Sequence, residues 1–298
     1  MLGDTQRTTG LEVLLLRREQ NEFARRALIE QLAREERPRF VIHLGDLVSA
    51  GASAREWRYF DALVAPLTSR GIEIWPILGN HDYWGPRALA LRHVRERFPE
   101  LSPRTYRSAR HTNLGFVFLD SNLRGSEARA QIDWLDPTLQ AFDADPETRG
   151  VLVFAHHPPF TNAQAGPLLV SRPFSPARDA YVHDQILPAF FRSRKALALL
   201  SGHIHGYERF VVRGKTFVVS GGAGGPRVSY ATASAGRHAA AYTPVGAGPR
   251  AFHYLTVARE ARQLRFSVKC LKSSAPERRT PEQCAPLETF CLPLAELP

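Results

Sequence analysis

The chain has 298 residues, 44% hydrophobic and 10% aromatic, enough for one large domain or two small ones around a substantial core. No apolar run approaches the ~18 residues of a membrane-spanning helix, which excludes a helical span. The formal net charge of +10 is carried almost wholly by arginine, with lysine only at 195, 215, 269 and 272; the arginines are scattered without a Lys/Arg block, so the charge reads as a compositional preference and not as a nucleic-acid surface.

Only Met1, Leu2 and Gly3 precede Asp4, whereas a central strand has about 5 residues. The expectation is that this first strand begins upstream, and any export signal with it; a cytoplasmic location is the alternative. Residues 11–36 have helical spacing, with Leu15, Phe23, Leu28 and Leu32 among polar residues, and Pro38 stops the helix. The run 40–44 reads as a buried strand, 55–67 as a helix and 72–78 as a second strand. Pro86 sits in the first turn of a helix to 98. A strand over 114–119 precedes a helix over 127–142, with Ile132, Trp134, Leu135 and Leu139 as core candidates and Pro137 as a point of breakage or kinking. Next come a strand over 151–155, a proline-bearing loop over 161–179, a short helix over 181–187 and a strand over 196–200. The pattern then changes. Residues 210–212, 216–220, 252–258 and 264–268 read as strands without helices between them, and 221–226 is a Gly-rich turn without phosphate-loop spacing. Alternation followed by strands predicts two packed sheets with helices outside, in one domain spanning the chain. Residues 272–298 read as an irregular tail. Cys270, Cys284 and Cys291 lack Cys-x-x-Cys spacing, which argues against structural zinc; one bridge with a free thiol, or three thiols, both fit.

The chemistry lies where strands end. Gly3-Asp4-Thr5-Gln6, Gly45-Asp46, Gly79-Asn80-His81-Asp82, His156-His157-Pro158 and Gly202-His203-Ile204-His205 each close an apolar run or its expected place. Ligands of open α/β sheets bind beyond the carboxyl ends of the strands. Carboxylates, an amide and imidazoles delivered to one edge make a ligand set for two metal ions, and the mixture suits Mn, Fe or Zn better than Ca or Mg. If 203–205 is extended, both imidazoles face one way and Ile204 turns into the apolar layer.

In order and spacing these motifs resemble the calcineurin-like metallophosphoesterase superfamily, whose pattern is Asp-x-His, Gly-Asp, Gly-Asn-His-Asp/Glu, His and Gly-His-x-His. The last block, residues 202–209, is similar to that of purple acid phosphatases and their relatives. The resemblance covers most of the chain and implies a four-layer α/β/β/α sandwich, two mixed sheets flanked by helices. It implies a phosphoester hydrolase acting through metal-activated hydroxide on a phosphorylated small-molecule or ester substrate. Its cofactors are two divalent or trivalent transition metal ions. Asp46 bridges the ions, with Asn80, His156 and His203 on one and Asp4 and His205 on the other. His81 is the candidate general acid, its pKa raised by substrate phosphate and by the Asp82 carboxylate. Two departures stand out. Gln6 replaces the histidine of Asp-x-His and is at best a weak neutral ligand. Ser49 stands where purple acid phosphatases carry a metal-binding tyrosine, so a tyrosinate–iron centre is not expected. Monoester hydrolysis leads, because of the last block; a phosphodiesterase, or a binding or regulatory protein that has lost one metal, are the alternatives. His157 reads as lining the cleft or structural. Tyr83, Trp84 and Tyr207 read as cleft or core. Glu208 and Arg209 read as a structural pair, and the other histidines as structural or surface.

Overall fold

The computed structural model describes residues 1–10, 13–14, 18–163, 181–227, 242–243, 251–271 and 286–296. Two sheets face each other. The larger has seven strands in the order β3-β4-β5-β6-β8-β7-β9. Its centre is parallel: β4 (Leu114–Phe118), β5 (Gly150–Phe154), β6 (Ala196–Ser201) and β8 (Lys215–Ser220). Its flanks are antiparallel: β3 (Arg107–His111), β7 (Tyr207–Val212) and β9 (Tyr242–Thr243). Burial along the whole of β4 and β5 explains why they read as unbroken apolar runs.

In the second sheet β1 (Phe40–His43) runs parallel to β2 (Glu73–Pro76), and β10 (Phe252–Arg259), β11 (Gln263–Leu271) and β12 (Glu288–Pro293) form an antiparallel meander. The first two residues join these parts. Leu2 N donates to Ile42 O at 3.1 Å, Leu44 N donates to Leu2 O at 2.8 Å, and Leu255 N donates to Met1 O at 2.8 Å.

The core between the sheets combines Phe116, Phe118, Phe154 and Leu200 of one with Ile42, Leu44, Leu255 and Phe266 of the other. Outside the large sheet, Val153, Leu199 and Phe217 pack against Leu135 and Leu139 of α4 (Gly125–Ala144) and Phe190 of α5 (Leu187–Arg192). Outside the second sheet, Val41 and Tyr254 pack against α1 (Glu22–Gln31) and α2 (Ala54–Thr68). α2 buries Trp57, Phe60, Val64 and Leu67, a helical stripe that also meets Val94 of α3 (Arg87–Arg97), and Ser53 caps its start by accepting from Glu56 N. The layers are helix, sheet, sheet, helix, the sandwich that the sequence implied.

Several details differ from the sequence reading. The expected helix over 11–36 is α1 followed by a π turn, Leu32–Glu36, which ends at Arg37 with φ 43°; residues 11–12 and 15–17 lie outside the described residues. Pro137 does not break α4: its ring removes one N–H, while Leu135 and Leu139 anchor both sides in the core. β3 was not expected, because its alternation of half-buried and exposed polar residues carries no apolar run. The tail is not irregular throughout, since β12 completes the second sheet. The loop over 161–179 falls largely outside the described residues. Cys270 is disulfide-bonded and Cys291 is a free, exposed thiol.

Candidate metal centre

Two sheets supply the site. Asp4 follows the Met1–Leu2 segment, Asp46 follows β1 and Asn80 follows β2; these come from the second sheet. His156 follows β5, and His203 and His205 follow β6, in the large sheet. Donor atoms of Asp4, Asp46 and His156 lie within 4.8 Å of one another, and so do those of His156, His157 and His203. His156 Nε2 is 3.5 Å from Asp46 Oδ1, and His205 Nε2 is 3.5 Å from Asp4 Oδ1. The imidazoles are oriented from behind: His156 Nδ1 donates to Leu44 O at 2.8 Å and His205 Nδ1 to Pro226 O at 2.7 Å. A carbonyl can only accept, so each Nε2 is the atom turned to the site.

The backbone is bent to reach this arrangement. Asp4, Asp46 and His203 have φ of 66°, 53° and 68°, the left-handed region that non-glycine residues seldom occupy. Such conformations gather at functional sites, held by the structure around them. The expected extended 203–205 is therefore a turn, with Ile204 N donating to Gly202 O at 2.8 Å, and Ile204 is still buried in the apolar layer. The glycine before Asn80 has a steric reason, since a Cβ at Gly79 would lie 2.1 Å from Asp46 Oδ1.

Burial disfavours the Asp46 carboxylate, but the charges of His156 and His81 outweigh it and hold the group below the usual carboxylate range. Burial likewise disfavours the His156 imidazolium, yet Asp46 beside it lifts the group to about 9. Burial pushes Asp4 up in spite of His205 and His156. Asp82 is pushed well above its ordinary value by burial and by Asp46.

Asp82 does not face His81. Its Oδ1 accepts from Leu47 N at 2.9 Å and Val48 N at 3.2 Å, and its Oδ2 from Gly79 N at 2.8 Å, so it fastens the Asp46 loop to the Asn80 loop. His81 instead lies with Nδ1 3.0 Å from Ser49 O, its N donating to Asp46 Oδ1 at 2.9 Å, and its ring 3.9 Å from the half-exposed Trp84. Ser49, in the tyrosine position, turns its hydroxyl to Glu56 Oε2 at 2.8 Å. Gln6 is buried, with Nε2 3.2 Å from Asp46 Oδ2 and 3.1 Å from His205 Nε2. Glu208 and Arg209 are not paired to each other: Glu208 accepts from Thr161 and Asn162, and Arg209 donates to Glu288.

Sequence reasoning missed three supporting residues. Ser121 Oγ is 2.7 Å from His157 Nδ1, and Asn122 Nδ2 donates to Leu78 O at 2.9 Å. Asp120-Ser121-Asn122 is a polar trio just beyond the buried β4, the same signal that marked the other motifs. Arg25, buried on α1, donates to Gln6 O and Gly224 O and ties the first motif to the loop after β8; its place in a helical pattern carried no signal.

The donor set fits a transition metal. Asn80 Oδ1 and His156 Nε2 are buried and have no hydrogen-bond partner. Buried polar atoms are normally paired, and His156 Nε2 faces the Asp46 carboxylate at 3.5 Å in a set of mixed oxygen and nitrogen donors.

The chain matches the sequence model of the calcineurin-like phosphoesterases over residues 1–207. It belongs to that family. Purple acid phosphatase PPD1 from yellow lupin (Lupinus luteus) seeds superposes with a TM-score of 0.63 at 16% identity, over 90% of this chain and 50% of the lupin chain. This chain therefore spans about half the length of that enzyme. A dimetal phosphatase from Danio rerio gives a TM-score of 0.61 at 19% identity, over 90% and 94% of the two chains. GAP50, the anchor in the inner membrane complex of Plasmodium, gives 0.67 at 11% identity, over 99% and 88%. At these identities the likeness is one of fold. A search of curated proteins finds no significant sequence match.

Proposed function

We propose that the protein is a phosphomonoesterase in which His81 is the general acid. The observation that carries this reading is the anchoring of His81. Its Nδ1 meets a backbone carbonyl, Ser49 O at 3.0 Å, and therefore bears a proton. Its main-chain N is fixed to Asp46 Oδ1 at 2.9 Å. Nε2 is then the atom left to take and deliver a second proton. Asp46, Asn80, His156 and His203 would hold one ion, and Asp4 and His205 would extend the set to a second. When bound, the metal supplies Lewis-acid polarisation of a phosphoryl oxygen and lowers the pKa of water. The chain's own groups orient the ester: Trp84 lies tilted against the His81 ring at 3.9 Å, and His157 is braced by Ser121 near His203, with ring centroids 4.5 Å apart. Preference for monoesters follows the likeness of residues 202–209 to acid phosphatases.

The test is hydrolysis of p-nitrophenyl phosphate, an alkyl phosphate and bis-p-nitrophenyl phosphate by wild type and His81→Ala, with metal analysis of both proteins. The variant retains its metal and loses about 100- to 10,000-fold in rate on the alkyl ester, less on the nitrophenyl ester, whose leaving group needs little protonation. Equal losses on all esters, or loss of metal, overturn the acid role. Faster turnover of the diester by wild type overturns the monoester preference.

A further inference from the structure

The two oxygens of Asp46 face opposite ways. Oδ1 is 3.5 Å from His156 Nε2, which lacks a hydrogen-bond partner. Oδ2 receives Gln6 Nε2 at 3.2 Å, and the same nitrogen is 3.1 Å from His205 Nε2. A carboxamide nitrogen has two hydrogens and no acceptor capacity, so it gives one to each neighbour. His205 is able to receive it, because its Nδ1 proton is committed to Pro226 O at 2.7 Å. The reverse orientation of the amide would set two acceptors, Gln6 Oε1 and Asp46 Oδ2, face to face. Asp46 Oδ2 and His205 Nε2 are thus engaged by the Gln6 amide nitrogen, while Gln6 Oε1 is itself buried without a partner.

We propose that Gln6 is a competitor for the second metal ion and not its ligand. Its carboxamide holds Asp46 Oδ2 and His205 Nε2, so an ion enters on the Asp4 side only by displacing it. The ion against Asp46, Asn80, His156 and His203 binds first, and occupancy of the Asp4 side follows the concentration of free metal. The inference rests on the metal-dependent reading above and concerns the order of binding, which that reading leaves open. It gives a sign that separates competitor from ligand: deleting a ligand weakens an ion, whereas deleting a competitor tightens it.

The experiment is a calorimetric titration of the metal-free full-length protein with Mn²⁺, in wild type and Gln6→Ala, with hydrolysis of p-nitrophenyl phosphate followed separately. Wild type binds a first ion tightly and a second more weakly or not at all. Gln6→Ala leaves the first step within about threefold and tightens the second by about tenfold to a hundredfold, the range expected from releasing hydrogen bonds to a charged partner. A second step that is weaker or unchanged in Gln6→Ala, or two equal steps in wild type, overturns the proposal. Should Gln6→Ala fail to fold, Gln6→Ser, which lacks the reach to His205, carries the same expectation. The predicted titration without hydrolysis of any ester leaves the proposal standing and removes the phosphatase reading; equal steps with rapid hydrolysis do the reverse.

Discussion

Glu208 is buried on β7, three residues beyond His205, and accepts from Thr161 Oγ1 at 2.5 Å and Asn162 N at 2.8 Å. Burial raises its carboxyl to about 7, against the pull of those two donors. A raised native pKa means that the folded state binds the proton more tightly than the unfolded chain. The contribution to stability is therefore complete below the unfolded value, near 4.5, and is lost as pH rises through about 7. Glu208→Gln removes this loss. Denaturant unfolding at pH 5 and pH 8 should show a smaller fall for the variant, by up to about 3 kcal/mol; identical falls refute the assignment. That Asp4, Asp46, Asn80, His156, His203 and His205 lie at strand ends was legible in the sequence, because each motif closes an apolar run or its expected place. The partners of Asp82 and Gln6 were not. Which oxygen of Asp46 faces Gln6, and whether Asp82 turns to His81 or to Leu47, depends on backbone φ and on loops distant in sequence.

Among the elements, the central strands were legible and the edge strands β3 and β12 were not. β4, β5 and β6 lie in the interior, so sequence and burial coincide over nearly their whole length. β3 and β12 are half exposed, with charged or polar residues at alternate positions, and such strands resemble loops. β12 has its own attachment across the sandwich. Glu288 accepts from Tyr207 Oη at 2.7 Å and Arg209 Nε at 2.8 Å, and Phe290 stacks on Phe266 at 4.8 Å. Tyr207 and Arg209 belong to the other sheet, so this cluster fastens the two sheets at an edge remote from β1. Glu288→Ala strands a buried hydroxyl and a largely buried guanidinium, and is expected to cost about 2–3 kcal/mol in denaturant unfolding. A change below about 0.5 kcal/mol would show that β12 contributes little to the closure of the sandwich.

For the whole molecule, the candidate metal centre is a seam. Asp4, Asp46 and Asn80 come from one sheet and His156, His203 and His205 from the other, so an ion bound there bridges the two halves of the sandwich. A ligand that binds only the folded state adds about 4 kcal/mol at a thousand times its dissociation constant. In a chain of this size that is roughly six degrees in melting temperature. Scanning calorimetry with and without chelator measures it; an unchanged melting temperature would mean that the centre does not hold the sheets together. The four-layer arrangement itself was legible, because the change from alternating helices and strands to strands alone is written in the hydrophobic pattern.

The pairing of Asp46 with His156 across that seam has a further consequence. With the imidazole lifted to about 9 by its neighbour, His156 carries a proton at neutral pH, in the place a cation bound between these groups would occupy. Carboxylate and imidazolium are each other's counter-ion, so the two sheets close without an internal charge left bare. Loading the protein is then an exchange, one cation in and at least one proton out, and buffer acidity and metal supply act on the same equilibrium from opposite sides.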